Sequence, residues 1–272
     1  SFFEGTDAWA TAFCENHDNG RAVSRFGDDS TPALWRASAK TIALWQATMS
    51  GTLFLYQGQE IGMTNMPASW GIEEYKDIES GNFYSEAVAS GDRARVDKTM
   101  HGLRILARDH SRIPFQWDAG PNPGFTREGA TPWMRVHDDY GFINAAKQRG
   151  DPDSVLEFYR KLLLLRKRYR DVFIHGSHRL IDPENERTWV ILKESPAPVS
   201  GKGAARRRRA LVVMNFSKGK EGAGNVPALL GCEASEVRLL VGTREGGELV
   251  QGVAPVLGGW EARVYINFEV ER

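Results

Sequence analysis

Apolar and polar positions follow two different periods along this 272-residue chain, and the change of period divides it. Thr31-Pro32 has the form of an N-cap with proline at the first helical position. Leu34, Ser38, Ile42, Trp45 and Met49 then recur at helical spacing until Gly51 ends the run. Thr52 to Tyr56 is a short apolar run between Gly51 and Gly58, too apolar for a half-exposed strand, and it predicts a fully buried parallel one. Helix followed by buried strand predicts an α/β unit. A second helix is predicted from about Asp153 to Arg170, with Asp153 as its cap. Val155, Tyr159, Leu162 and Leu163 form its apolar face against Arg160, Lys161, Arg166 and Lys167. From about residue 175 the periods shorten. Ser177 to Ile181, Thr188 to Glu194, Ala210 to Phe216, Val237 to Val241 and Ala262 to Val270 are predicted strands, separated by Gly, Pro, Asn and Asp clusters. An antiparallel sandwich is the natural way to pack them. The fold class expected is therefore α/β plus all-β, with domains at 1–172 and 173–272.

Composition narrows the partners. Lysine plus arginine equals aspartate plus glutamate at 35 each, so no global field draws the protein to nucleic acid or to an anionic membrane. Apolar runs such as Leu162 to Leu165 are far shorter than the roughly 20 residues that span a bilayer. The basic stretch Ser195 to Arg209, which ends in Arg206 to Arg209, reads as a solvated hairpin tip rather than a nucleic-acid patch. Cys14 and Cys232 are too few for a disulfide framework, which predicts free thiols and a reducing, cytoplasmic setting. The chain opens at Ser1 without an initiator methionine or a signal-peptide pattern, so the start of a longer protein is expected to be absent. His101, His110 and His137 lack ligand spacing, and neither a metal nor another cofactor is expected.

The densest chemistry lies in Glu15-Asn16-His17-Asp18-Asn19-Gly20-Arg21, read as a strand end, after Ala12-Phe13, feeding a loop. A carboxylate such as Asp18 beside His17 can stabilise positive charge developing on a substrate while the imidazole donates to a polar ligand. On these residues alone, a satisfied surface turn is an equally good reading.

Taken with Gly20-Arg21-Ala22-Val23-Ser24-Arg25-Phe26, however, the segment resembles the fourth sequence region of family 13 glycoside hydrolases, the α-amylase superfamily. Tyr56-Gln57-Gly58-Gln59-Glu60-Ile61-Gly62-Met63-Thr64-Asn65 resembles that family's seventh region, at barrel strand eight. The run from Ala107 to Trp117, with Gly124-Phe125-Thr126 and Pro132-Trp133, resembles its α-glucosidase branch of maltase and oligo-1,6-glucosidase type. Asn19-Gly20 stands where many relatives have Gln-Pro, and Ile113 and Phe115 replace the commoner Thr and Met.

The resemblance implies the C-terminal remnant of a (β/α)8 TIM barrel, about strands 7 and 8 with their helices, followed by the β-sandwich. It implies that Asp18 is the third catalytic carboxylate, the transition-state stabiliser, and that His17, Arg112, Arg108, Asn16 and Phe125 bind substrate. Glu60 would be a supporting residue near the barrel rim. Trp70, Trp117, Trp133 and Tyr56 are further stacking candidates, although most tryptophans serve as packing. The nucleophile and general acid would lie before Ser1, so the chain alone is expected to be inactive without the missing N-terminal barrel segment. The implied partner is an oligosaccharide or disaccharide with terminal α-linked glucose. A non-catalytic binding or chaperone subunit, and a sucrose isomerase-type transglucosidase, are the alternatives.

Overall fold

In the computed structural model, residues 6, 8–196, 206–247 and 255–270 are described. In chain order the strands are β1 (Thr11–Ala12), β2 (Thr52–Leu53), β3 (Ser177–Leu180), β4 (Thr188–Glu194), β5 (Arg209–Asn215), β6 (Glu221–Gly222), β7 (Arg238–Gly242), β8 (Val256–Leu257) and β9 (Ala262–Ile266). The helices are α1 (Ala22–Phe26), α2 (Pro32–Thr48), α3 (Ile78–Ala89), α4 (Arg93–Leu106), α5 (Ala145–Gln148), α6 (Val155–Arg168), α7 (Arg170–Phe173) and α8 (Val226–Leu230). Two compact units interleave in sequence. One draws on Ser1–Ala12, Lys40–Phe54 and Phe158–Arg272, the other on Phe13–Ala39 and Leu55–Glu157.

In the first unit all five predicted strands form one antiparallel sheet in the order β3-β4-β5-β9-β7. Alternation along the central strand β5 fills two faces. Leu211 and Val213 join Val190, Leu192 and Tyr265 beneath α8, where Val226 and Leu230 close the cluster. Val212 and Met214 point the other way and are equally buried. The ladder β6-β8 is a separate pair of two-residue strands. The basic run meets carboxylates on both flanks of its hairpin: Arg206 pairs with Glu236 at 2.7 Å, Arg207 and Arg209 with Glu194 at 3.4 and 2.5 Å, and Arg208 with Asp171 at 3.6 Å. The tip at 197–205 lies outside the described residues.

Two expectations about this unit are corrected. The run after Gly51 does pair in parallel, Thr11 with Thr52 and Ala12 with Leu53, but it is not buried: Thr52 is exposed and Phe54 is 55% exposed. Among the described residues this sheet has only those two strands, so each is an edge and no third strand covers it. Arg166, assigned to the polar face of α6, is instead buried at 6% exposure. Its guanidinium donates to the carbonyls of Ala47 (2.9 Å), Met49 (2.5 Å) and Gly51 (2.6 Å), supplying donors to the C-terminal end of α2. The buried face of α6 includes Phe158, Tyr159, Leu162 and Arg166, while Leu163 is 37% exposed at its edge.

Lys193 on β4 is also fully buried, its ammonium donating to Ser50 Oγ at 2.6 Å and to the Phe173 carbonyl at 3.0 Å. His178 lies opposite it in the ladder. Burial, reinforced by the like charge of Arg166, holds the Lys193 ammonium down to a pKa of about 7.

The second unit carries the loops rich in functional groups. Thr31 Oγ1 accepts from Leu34 N at 3.2 Å, the predicted cap of α2. Trp35 then packs edge-on against Phe142 and donates its indole N–H to the Gly62 carbonyl at 2.7 Å. Gly62 has φ +70, and a Cβ there would meet the Trp35 ring at 3.0 Å, so both backbone and packing require glycine. Ser154, not Asp153, caps α6 by accepting from Glu157 N at 3.1 Å, because Asp153 is drawn into a pair with Arg36 at 2.7 Å. The antiparallel pair α3 and α4 has no counterpart among the predicted elements. Each begins at an aspartate that accepts a first-turn N–H at 2.9 Å, Asp77 from Glu79 and Asp92 from Ala94.

Candidate active site

The loop that follows β1 is held at both ends by one buried ion pair. Arg21 Nη1 lies 3.0 Å from Glu15 Oε2, both side chains almost fully buried, and Glu15 Oε1 accepts from Ala22 N at 2.7 Å. The same guanidinium donates to the carbonyls of Gln57 (2.7 Å) and His110 (3.3 Å). With its ends fixed, the loop is shaped by Asn16, whose Oδ1 accepts from Asp18 N at 2.8 Å and from Asn19 Nδ2 at 2.7 Å. Asn16 thus builds the turn that presents Asp18.

Asp18 is half exposed, its side chain at 46%. Its Oδ2 lies 3.1 Å from His17 Nε2. Its Oδ1 accepts from Arg112 Nη2 at 3.0 Å and lies 3.6 Å from Arg108 Nη1. The sequence places these residues some 90 positions apart. They meet because the short helical turn Arg108–Ser111 is stitched to the loop by Arg112 Nε on the His17 carbonyl at 2.9 Å and by the Ser111 hydroxyl on the Asn19 carbonyl.

Two acids absent from the predicted site complete the frame. Asp77, its side chain only 4% exposed, accepts from Arg108 Nη2 at 2.8 Å and also pairs with Arg112. Burial acts to raise its pKa, but the Arg108 hydrogen bond, the Glu79 N–H and the charges of both arginines outweigh that and hold the carboxyl below its ordinary range. Asp109 is buried and accepts from Lys76 N (2.6 Å), Asp77 N (2.8 Å) and Ser80 Oγ (3.0 Å). It fixes the start of α3 instead of pairing with its neighbour Arg108, whose second acid is Glu79 at 3.1 Å. Aspartate immediately before Ile78-Glu79 is an N-cap signal, and that signal is what would have found Asp77.

The remaining candidates divide. Glu60 Oε2 accepts from Gly58 N at 2.7 Å, a local structural bond, and burial raises its pKa. His110 is fully buried: its Nδ1 accepts from Met66 N at 3.1 Å, so its Nε2 is the donor to the Leu103 carbonyl at 2.9 Å. Burial pushes its pKa down to about 4. Trp70 is buried with its N–H on Asp138 at 3.0 Å, and Tyr56 donates to the Ser111 carbonyl at 3.2 Å. Phe125, Trp117 and Trp133 stay exposed, at 41, 51 and 61%. Phe125 lies in a separate turn, its N–H on the Asn122 carbonyl at 2.7 Å. Among the described residues no group of three His, Cys, Asp or Glu is placed to hold a metal, no helix is long and apolar enough to cross a membrane, and both cysteines are free.

A half-exposed carboxylate braced by an imidazole and two guanidinium groups, on a loop held at both ends, offers donors and acceptors to a polar ligand. The family profile of the α-amylase catalytic domain matches residues 2–176, and the chain belongs to that family. Over 222 residues it is 46% identical to an α-glucosidase of Candida albicans, covering 79% of this chain and 37% of the relative. Over 258 residues it is 38% identical to a probable oligo-1,6-glucosidase of Bacillus subtilis, covering 95% and 42%. Among solved structures it is similar to a trehalulose synthase in complex with Tris (TM-score 0.82, 36% identity, 96% of this chain and 44% of that one). It is also similar to an isomaltulose synthase from Klebsiella (0.78, 32%, 96% and 43%). The chain spans about two-fifths of the length of these relatives.

Proposed function

We propose that this chain is the C-terminal part of a retaining α-glucosidase that removes terminal α-linked glucose from maltose- and isomaltose-type oligosaccharides. In this reading residues 1–172 belong to the catalytic barrel, contributing about strands 7 and 8, and residues 173–272 form the C-terminal sandwich domain of a cytoplasmic protein. The observation that carries it is the Asp18 carboxylate, open to solvent on the loop that Glu15 and Arg21 lock.

Asp18 and His17 accept and donate to hydroxyls of the terminal glucose, and Arg108 and Arg112 hold Asp18 in place. Phe125 contributes an apolar surface at the pocket entrance. Retention needs two more carboxyl groups about 5 to 5.5 Å apart, one to attack the anomeric carbon and one to protonate the leaving oxygen. Asp77 and Glu79 are the nearest acids held to the same arginines. Asp77 is buried and engaged as a cap, so neither role falls to it. By resemblance to the family, the nucleophile and general acid would lie on barrel strands that precede these residues in a longer enzyme, and in this reading the chain alone is inactive.

Incubation of the chain with maltose, isomaltose and p-nitrophenyl α-glucoside is expected to give no glucose beyond that from its Asp18→Asn variant, whereas a protein carrying the upstream barrel strands turns over and loses at least about a hundredfold on Asp18→Asn, the scale of one lost transition-state electrostatic contact. Turnover by this chain above the variant sinks the inactivity claim. Full activity of the longer Asp18→Asn protein sinks the role of Asp18. The likeness to trehalulose and isomaltulose synthases favours a second reading, sucrose isomerisation. Product analysis with sucrose separates the two: hydrolysis releases glucose and fructose, isomerisation a rearranged disaccharide.

A further inference from the structure

On the face of the five-stranded sheet that α8 covers, one row of side chains is polar. Ser177 on β3, Glu194 on β4 and Arg209 on β5 stand directly opposite one another, and the next row on the same face is Arg179, Leu192 and Leu211. Leu192 and Leu211 are core beneath Val226 and Leu230 of α8. Beside that core lies an open cleft of about 390 Å³, with Ser177, Arg179, Glu194 and Arg209 among its walls.

Arg209 is fixed on two sides. Its Nε pairs with Glu194 Oε2 at 2.5 Å, and its Nη1 donates to the Leu230 carbonyl at 3.2 Å. Gly231, at φ +66 just after α8, makes room for this: a Cβ there would meet Arg209 Nη1 at 2.5 Å. The bracing leaves Arg209 Nη2 without a partner among the described residues. Glu194 Oε1 lies 3.4 Å from Arg207 Nη1, so two guanidinium groups share one carboxylate and offset its repulsion of an anion. Arg179 adds a third guanidinium, and among the described residues its side chain has no partner.

An unpaired guanidinium, a second one held rigid with a free edge, and a hydroxyl suit a tetrahedral oxyanion, because the planar N–H forks of arginine match phosphate oxygens two at a time. The cleft has more room than a bare phosphate fills, and Leu192 and Leu229 give it an apolar wall. We propose that this cleft binds a small, soluble phosphate monoester, with Arg179 and Arg209 gripping the phosphate, Ser177 donating to it, and Leu192 and Leu229 against its organic part. The cleft shares no residue with the Asp18 site, so the assignment stands independently of the proposed function.

The test is calorimetric titration of the chain, at constant ionic strength, with phenyl phosphate, inorganic phosphate and phenol. Phenyl phosphate should bind, inorganic phosphate about tenfold more weakly for want of the apolar contact, and phenol not at all. Arg179→Gln should weaken phenyl phosphate by at least about tenfold with no change in the thermal midpoint of the free protein, since that side chain holds no partner. Ala228→Trp, at an exposed position of α8 beside the cleft, should abolish the preference for the ester and leave inorganic phosphate unchanged. Arg206→Gln removes a charge of the same basic run that does not line the cleft, and should alter neither affinity by more than about twofold. Equal affinity in parent and Arg179→Gln, or no binding of phenyl phosphate, overturns the assignment. An equal loss in Arg206→Gln and Arg179→Gln overturns it too, by showing a diffuse basic field in place of a site.

Discussion

The buried lysine on β4 makes a prediction whose size follows from its surroundings. Lys193 has no exposed surface, and its pKa falls from an ordinary 10.5 to about 7. Folded, the side chain is largely neutral above pH 7, while unfolded it keeps its proton to about pH 10.5. The unfolded state thus binds more protons across that window, and stability must rise with pH there. The burial penalty is fully present below pH 7 and is relieved as pH climbs to 10.5. Near pH 8.75 the difference approaches one proton, a slope of about 1.3 kcal/mol per pH unit, and the whole window amounts to about 5 kcal/mol. Urea unfolding of the parent and Lys193→Met at half-unit steps from pH 7.5 to 9.5, followed by tryptophan fluorescence, isolates this slope. The hydrogen bonds to Ser50 and Phe173, lost in the variant, shift its curve vertically without tilting it. Subtraction of the two curves removes the other titrating groups, apart from His178 and Arg166, which share the charge environment. A parent slope no steeper than that of Lys193→Met would refute the reasoning.

Two further outcomes concern single side chains. Asp77→Asn keeps an acceptor for the Glu79 N–H but removes the charge facing Arg108 and Arg112, which are a quarter to a third exposed. It should cost about 1 to 2 kcal/mol after allowance for solvent screening, and Asp77→Ala about 1 kcal/mol more for the lost cap, both read by urea unfolding at pH 7. Because the folded pKa of Asp77 is depressed, this contribution is complete above the ordinary carboxylate range and lost as pH falls through the folded value. An Asn variant as stable as the parent at pH 7 contradicts the assignment. Cys14 is 6% exposed and burial pushes its thiol up to about 12, so a thiol-disulfide reagent should titrate Cys232 alone in the native protein and both thiols in denaturant. Two fast native thiols would be incompatible with the buried position.

Much of the fold was legible because its elements follow local rules. Thr31-Pro32 starts α2 as a cap and proline should, and five strands stand where alternation and turn residues put them. The α3–α4 pair escaped because its stripes are interrupted: Gly81 and Gly102 break it, and Ile78, Phe83 and Leu106 face solvent, so apolar periodicity is weak where the capping aspartates are clear. Arg166 differs from its expected exposure because charge predicts exposure only when no buried carbonyls await a donor, and the end of α2 with the turn after it offers three. Of the candidate site, the motif pointed to Asp18, His17 and the arginines, which the structure brings together, but not to the bridge through Asp77. Such a bridge depends on two segments meeting in space, and no one-dimensional pattern carries that information.

The clasp of Arg166 on the end of α2 also bears on the order of assembly. A helix that ends in its own glycine-based cap is self-sufficient as soon as it is synthesised. Here the donors for Ala47, Met49 and Gly51 arrive from a residue 115 to 119 positions later in the chain. The Ala47 carbonyl in the last turn of α2, and those of Met49 and Gly51 just beyond it, therefore gain these partners only when α6 docks. That contact closes a loop of 115 to 119 residues, so these bonds carry the entropic cost of a non-local pairing that a local cap would avoid.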